Sequence, residues 1–379
     1  MTTIFKKAIL PKGFKASGVA SGIKKSGKLD LALFCSNPLA KSACLFTSNK
    51  IIAAPLKINK QHLKASNSFK AIIVNSGNAN CFTGASGERD ALDTAKFLSS
   101  ALGVEKNKIL VNSTGIIGKR LQVAKIKKAI PGLVCGLSTS GIDKAKKAIM
   151  TTDTFAKEIT VKFNVGGKVI TICGVAKGAG MISPNMATML AFILTDANIA
   201  QSDLKSALNI CVEESFNCIT VDGCMSTNDS VMLLANGASG NELIHSGNNL
   251  KSFTQALKVV CLELAKMVIK DGEGASKFIQ IKVIQAKNFQ EARIIALAIA
   301  NSNLFKTAVY GENPNFGRIA ASAGACGVDI KEENLKIKVS PLHKKEVFVE
   351  VALKRGNSSA VVYTSDLTPE YIKINAEYN

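Results

Sequence analysis

Segments of two different periods alternate along this chain, and that alternation most limits what it can fold into. Strand-like runs, several with apolar and polar residues in turn, fall at KAIIVN (70–75), KILVNS (108–113), KVITICG (168–174), SVMLLANG (230–237), FIQIKVIQA (278–286), EVFVEVAL (346–353) and SAVVYTSDL (359–367). Helical stretches lie between them at 87–102, 202–216, 252–270 and 289–305. In the second, Ser202 reads as the N-cap, and Leu204, Ala207, Leu208 and Cys211 make one apolar face. The third runs into DGEG (271–274), a glycine stop. No repeat, low-complexity linker or charge block divides the chain. The expected class is therefore α/β, with mixed sheets sandwiched by helices rather than two beads on a string.

Charge and cysteine usage narrow the function. The net charge is +20, yet only five of the 48 basic residues are arginine, tryptophan is absent, and the lysines are scattered singly. Nucleic-acid readers favour arginine forks and stacking aromatics, so no nucleic-acid partner is expected; a basic surface can still gather anionic metabolites. The ten cysteines form no CxxC pair, and His62, His245 and His343 stand alone. Neither a metal site nor a disulfide framework is expected, and the cysteines read as small buried hydrophobes of a reducing compartment. The opening residues lack the apolar core of a signal peptide, and no run approaches a membrane span. The expectation is a soluble, cytoplasmic protein with no membrane partner.

Two glycine motifs fall short of nucleotide sites. GIKKSGKL (22–29) has Leu29 where a phosphate-binding loop needs a magnesium-binding hydroxyl. GAGMIS (178–183) has Ser183 in place of the last glycine of a dinucleotide fingerprint, followed at once by Pro184. A histidine-based nucleophile pair has little to draw on, with three isolated histidines and no GxSxG. VNSTGIIGKRL (111–121) is richer: an extended run ends at Ser113, Thr114 and Gly115. An ordinary strand-end turn explains it; so does an oxyanion hole in which a backbone N–H and a hydroxyl aim at one point. SGNANCFTG (76–84) and DGCMSTNDS (222–230) are dense in small polar residues beside strands, and composition does not say whether they are turns or line a site.

The segment GVAKGAGMISPNMATMLAFIL (174–194) places one hydroxyl, Thr188, between a glycine-rich loop and an apolar run. A threonine that caps or lines the start of a buried helix is the simpler reading on physics alone. The chemical reading starts from the need of a hydroxyl nucleophile for a nearby base. If the chain is cut before Thr188, that residue gains an α-amine of pKa about 7.7–8, positioned to take its own hydroxyl proton directly or through a water. Thr188 can make the cut itself, its Oγ attacking the Ala187 carbonyl.

KGAGMISPNMATML (177–190) resembles the self-cleavage segment of the ornithine acetyltransferase family, the bifunctional glutamate/ornithine N-acetyltransferases of arginine biosynthesis. The likeness spans nearly the whole chain. GFKASGVASGIKKSGKLDLAL (13–33), LFTSNKIIAAP (45–55), VNSGNAN (74–80), NSTGIIG (112–118), MTTDT (150–154), VDGCMSTNDSVMLLANG (221–237), DGEGASK (271–277), YGENPNFGRI (310–319) and IKINAEY (372–378) follow in the family's order. The resemblance implies an N-terminal-nucleophile-like, self-processing α/β fold of the aminopeptidase/ornithine acetyltransferase superfamily. It implies scission at Ala187–Thr188 into an α chain of 1–187 and a β chain of 188–379, intertwined as one catalytic unit, two of each forming a tetramer. Thr188 is then the nucleophile that carries acetyl as an ester. Thr114 and Gly115 form the oxyanion hole; Thr154 (or Thr152), Lys177, Glu273 and Asn375 join Thr188 in binding substrate. N-acetylornithine and glutamate are the implied substrates, with no cofactor or metal; some members also accept acetyl-CoA as co-substrate. Two departures stand out. Cys224 follows DG where an acidic residue is commoner, expected to matter little if buried, and Tyr378 is followed by Asn379 without the family's small hydroxyl residue. A self-processing aminopeptidase and, in a different class, a basic nucleic-acid-binding protein are the alternatives.

Overall fold

The computed structural model describes residues 2–183 and 189–377. The chain divides into two compact units, each assembled from separated stretches: unit 1 from Met1–Gly178, Thr188–Glu214 and Ser226–Leu264, unit 2 from Ala179–Ala187, Ser215–Met225 and Ala265–Asn379. The mixed α/β class expected from the sequence holds in both.

Unit 1 contains β1 (Thr3–Phe5), β2 (Phe14–Val19), β3 (Leu31–Phe46), α1 (Ala54–Ala65), β4 (Phe69–Asn78), α2 (Gly84–Leu102), β5 (Ile109–Ile116), α3 (Val123–Cys135), α4 (Ile142–Ala148), β6 (Lys157–Val165), β7 (Lys168–Lys177), β8 (Leu190–Thr195), α5 (Gln201–Glu213) and β9 (Ser230–Ala235). The strands run β1-β6-β7-β8-β9-β3-β4-β5, with β2 added alongside β3. The long strand β3 serves both halves: Leu31–Cys35 pair with β4, and Lys41–Phe46 pair with β9. Alternation assigns β4 to two cores. Ile72 and Val74 join Phe34, Phe192 and Leu234 on one side; Ala71 and Ile73 join Ala95 and Leu98 of α2 and Ile126 and Leu133 of α3 on the other. A strand covered on both faces reads as a nearly continuous apolar run, as KAIIVN does.

The apolar run after Thr188 is not a helix. Leu190–Thr195 forms β8, every residue buried, antiparallel to β7 and parallel to β9. A short all-apolar run bears no period that separates a central strand from a buried helix.

In unit 2 the chain forms β10 (Phe278–Ala286), α7 (Phe289–Ala300), α8 (Asn303–Tyr310), α9 (Gly317–Gly324), β11 (Lys336–Val339), β12 (Glu346–Ala352), β13 (Ser358–Ser365) and α10 (Pro369–Glu377), after α6 (Gly247–Lys270). The sheet order is β11-β12-β10-β13. Ile279, Ile281, Val283, Val347, Val349 and Val351 face one core with Ile295 and Ile299 of α7 and Phe305 and Val309 of α8. Two expectations need correction. The stretch 289–305 is two helices, because the Ser302 hydroxyl accepts from the Phe305 N–H and restarts the turn. Ser202 does not cap α5: the N-cap is Ala200, and the Ser202 hydroxyl is exposed beside Asp203.

Candidate active site

Two motifs that the sequence left undecided become neighbouring strands. SGNANCFTG begins on β4 and NSTGIIG ends β5, and the two strands are parallel, with Ser76 opposite Thr114 and Gly77 opposite Gly115. The register then slips at Gly77–Asn78, so the ladder is irregular at the two residues assigned to an oxyanion hole. Gly115 has φ +128°, and a Cβ there would sit 2.5 Å from the Gly77 carbonyl carbon. Only glycine meets both demands. The Thr114 side chain is buried.

Side-chain amides hold this turn. Asn75 accepts from the Ser113 hydroxyl at 2.6 Å and donates to the Asn78 carbonyl at 2.8 Å. The third polar loop, DGCMSTNDS, joins them: Asn228 Nδ2 donates to the carbonyls of Ala79 at 2.7 Å and Ser113 at 2.8 Å. Its neighbour Asp229 accepts from the Met189 N–H at 3.0 Å. Burial pushes the Asp229 carboxyl well up, against the downward pull of Met189 and Lys177. Consecutive residues thus grip the residue before Thr114 and the residue after Thr188.

Lys177 ends β7 and is buried. Its ammonium acts on Asp153 in the MTTDT loop. Asp153 also takes the Lys157 ammonium at 2.7 Å, the Gly178 N–H at 2.7 Å and the Thr151 N–H at 2.8 Å. Burial alone would raise the Asp153 carboxyl; the charges of Lys177 and Lys157 reverse this and hold it well below the usual carboxylate range. Lys24 touches the same loop, donating to the Met150 carbonyl at 2.7 Å, and its Cγ lies 3.1 Å from where a Cβ on Gly77 would be. Burial brings Lys24 down to about 8, opposed by Asp30 and lowered further by Lys177. Thr154 is exposed and Thr152 half-buried, in the loop before β6. Unit 1 therefore brings Thr114, Gly115, Lys177 and the 150–154 loop into one connected, cation-rich region.

Glu273 and Asn375 belong to unit 2, where they meet directly. Asn375 on α10 donates to Glu273 Oε2 at 2.9 Å. The Thr368 hydroxyl, just ahead of α10, bonds the Gly274 carbonyl at 2.7 Å and ties the helix to the DGEG turn. Gly180 packs so closely on the Glu273 carboxylate that a Cβ there would lie 2.1 Å from Oε2. Ala187 and Thr188 lie outside the described residues. Cys224 is exposed rather than buried, so its substitution faces solvent beside Asp222. Cys135 is exposed too, whereas burial pushes Cys44 and Cys173 to about 12. Among the described residues no cluster of three His, Cys, Asp or Glu is arranged to hold a metal ion, and no helix is long and apolar enough to cross a membrane.

Sequence reasoning missed Asp153, Asn228, Asp229, Gly77 and Lys24 as parts of the site. The signal was present only as polar density: an acid between threonines in TTDT, and the pair Asn228–Asp229 directly ahead of the strand SVMLLA.

Fold and site define a class: an α/β enzyme in which a threonine–glycine strand end that only glycine can close lies in a lysine-rich region. The comparisons are more specific. The ArgJ family model matches residues 15–379, and the chain belongs to the ArgJ family. The arginine biosynthesis bifunctional protein ArgJ of Geobacter sulfurreducens is 43% identical, over 97% of this chain and 99% of its own. That of Caldanaerobacter subterraneus is 44% identical, over 98% of each. An ornithine acetyltransferase from Mycobacterium tuberculosis, solved with ornithine, is 36% identical over 48% of this chain and 98% of that chain, with a TM-score of 0.45.

Proposed function

We propose that this chain moves an acetyl group from N(2)-acetyl-L-ornithine to L-glutamate, through an ester on Thr188 formed after the chain cleaves itself at Ala187–Thr188. One observation carries the reading. Asn228 holds Ser113, next to the oxyanion donors, while the adjacent Asp229 holds Met189, next to the nucleophile. Consecutive Cα atoms are about 3.8 Å apart, so one dipeptide references both reacting parts.

Processing comes first. Thr188 Oγ attacks the Ala187 carbonyl, the peptide C–N bond breaks, and the hydroxyl proton passes to the departing nitrogen. Water then hydrolyses the ester, leaving an Ala187 carboxylate, a free Thr188 hydroxyl and a free α-amine. In turnover that amine, with an ordinary pKa of about 7.7–8, takes the hydroxyl proton as Oγ attacks the acetyl carbonyl. Thr114 and the Gly115 N–H meet the developing oxyanion. Such a donor is typically worth about 3–4 kcal/mol because it is aimed before the charge forms. The C–N bond of acetylornithine breaks, the proton goes to the ornithine nitrogen, and ornithine leaves. The glutamate amine attacks the ester, and the threonine hydroxyl is restored. The acetyl group passes between two amines through an ester, a sequence that needs no cofactor; acetyl-CoA would acylate the same hydroxyl.

The binding roles follow from charge. Lys177, in its lysine-rich surroundings, suits a substrate carboxylate, with Thr154 at the loop edge. Glu273, fixed by Asn375, suits the side-chain ammonium of acetylornithine. The mature form is two α and two β chains. The test is a trapped acyl-enzyme. Enzyme incubated with isotope-labelled acetylornithine and quenched should carry label on the peptide that begins at Thr188, and added glutamate should discharge it. Transfer that proceeds with no label on protein, and only with both substrates present, would contradict the ester route. Thr188→Ala should abolish both labelling and transfer.

A further inference from the structure

The segment just upstream of the proposed scissile bond, at 179–182, is clamped within unit 2. The Ala179 carbonyl accepts from the Glu273 N–H at 2.9 Å. The Met181 N–H donates to Asp222 Oδ2 at 2.6 Å. The Ile182 carbonyl accepts from the Val221 N–H at 2.9 Å and from the Thr220 hydroxyl at 3.0 Å, a proton that Thr220 divides with Asn301 Oδ1 at 2.6 Å. The clamp is itself braced. Tyr371 donates its hydroxyl to Asp222 Oδ2 at 3.1 Å, the Cys224 N–H donates to Asp222 Oδ1 at 3.0 Å, and the buried Lys306 ammonium donates to the Val221 carbonyl at 2.6 Å.

What is held is an unfavoured backbone. Met181 has φ +57°, in the left-handed region that a side chain larger than Asn or Asp seldom enters. Its side chain is 40% exposed, so packing does not impose the conformation. The hydrogen bond to Asp222, with those to Ala179 and Ile182 on either side, holds it. The ordinary alternative, that loop 220–222 merely closes a turn, accounts for Val221–Ile182 but not for a carboxylate spent on a left-handed methionine.

We infer that Asp222 and Thr220 are positioning residues for self-cleavage: within unit 2 they anchor the chain at 179–182, upstream of the proposed scissile bond. This rests on the self-cleavage reading above. Its physical basis is that fixing the chain on the approach to a reacting bond removes in advance entropy that the attack would otherwise lose. Lys306 and Tyr371 act one step further back, by fixing Val221 and Asp222. None of these residues needs to touch the acetyl group.

The test is the rate at which newly made full-length chain splits, followed on denaturing gels after cell-free translation. Met181→Val, which disfavours the left-handed region, should slow splitting about tenfold. Met181→Asn, which tolerates it, should split at the wild-type rate. Asp222→Ala should be slow, and adding Met181→Asn to it should restore part of the rate. Once split, the Met181→Val enzyme should transfer acetyl as wild type does, because Met181 is not among the residues assigned to the acetyl transfer, with its melt lowered only by the strained backbone. Equal splitting of wild type and Met181→Val would overturn the clamp while leaving self-cleavage standing. A wild-type chain that never splits would overturn self-cleavage, and the clamp's role with it.

Discussion

Asp153 and Lys157 meet at 2.7 Å with neither side chain exposed to solvent. Asp153 lies in the loop that carries Thr154 and is acted on by Lys177, and Lys157 opens β6, so the pair ties the site's loop to the sheet. Removing one partner of a buried pair is costly when nothing else compensates the remaining charge; Asp153 keeps Lys177 and two backbone N–H groups. Lys157→Met is therefore expected to destabilise by less than the ~3–5 kcal/mol of a fully stranded buried charge, read from urea unfolding at neutral pH. The Asp153 carboxyl lies below its unfolded value of 3.8. Its stabilisation is therefore complete above that pH and is lost as the pH falls through 3.8 towards the folded-state value. In Asp153→Asn the slope of stability against pH below 3.8 should flatten.

Thr114→Val keeps the shape and removes the hydroxyl. If that hydroxyl meets the oxyanion, kcat should fall about 100- to 1000-fold while the melting temperature moves little. Gly115→Ala differs in kind: its φ of +128° and the 2.5 Å approach to Gly77 leave no room for a methyl group, so stability and turnover should fall together. Steady-state kinetics beside thermal melts separate the two.

Glu273→Gln removes the charge proposed to receive the ammonium of acetylornithine. A hydrogen bond to a charged group is worth about 1.5–3 kcal/mol, so KM for acetylornithine should rise on the order of 10- to 100-fold. KM for glutamate, whose side chain ends in a carboxylate, should change less or fall. An equal rise for both substrates would assign Glu273 a structural role.

Asn228→Ala strands the carbonyls of Ala79 and Ser113, both held by one amide. Each buried carbonyl left unpaired costs about 1–3 kcal/mol. Melting temperature and kcat should drop together, because the amide holds the strand that delivers Thr114.

The strands that alternate or stay apolar between polar ends, such as 70–75 and 278–286, were legible because side-chain direction repeats every two residues. Leu190–Thr195 was not, since a strand buried on both faces erases its own period. The long strand β3 was hidden differently: its middle, Ser36–Leu39, interrupts the apolar pattern where the strand changes partners from β4 to β9. Ser202 looked like a cap by residue type, yet the helix begins one residue earlier and the serine lies inside it. At the site, the ordered motifs nominate candidate residues such as Thr114, Gly115 and Lys177. Their supports could not be nominated this way, because Asn228 reaches Ala79 across 149 positions and Lys24 reaches Met150 across 126. Such pairings depend on topology, which no local pattern encodes.

Intact-mass spectrometry of the purified, active protein tests the central claim most directly. The account expects two polypeptides, residues 1–187 and 188–379, the second beginning Thr-Met-Leu, and a single undivided chain for Thr188→Ala. Wild-type protein that transfers acetyl while showing only one mass, that of the uncut chain, would contradict it.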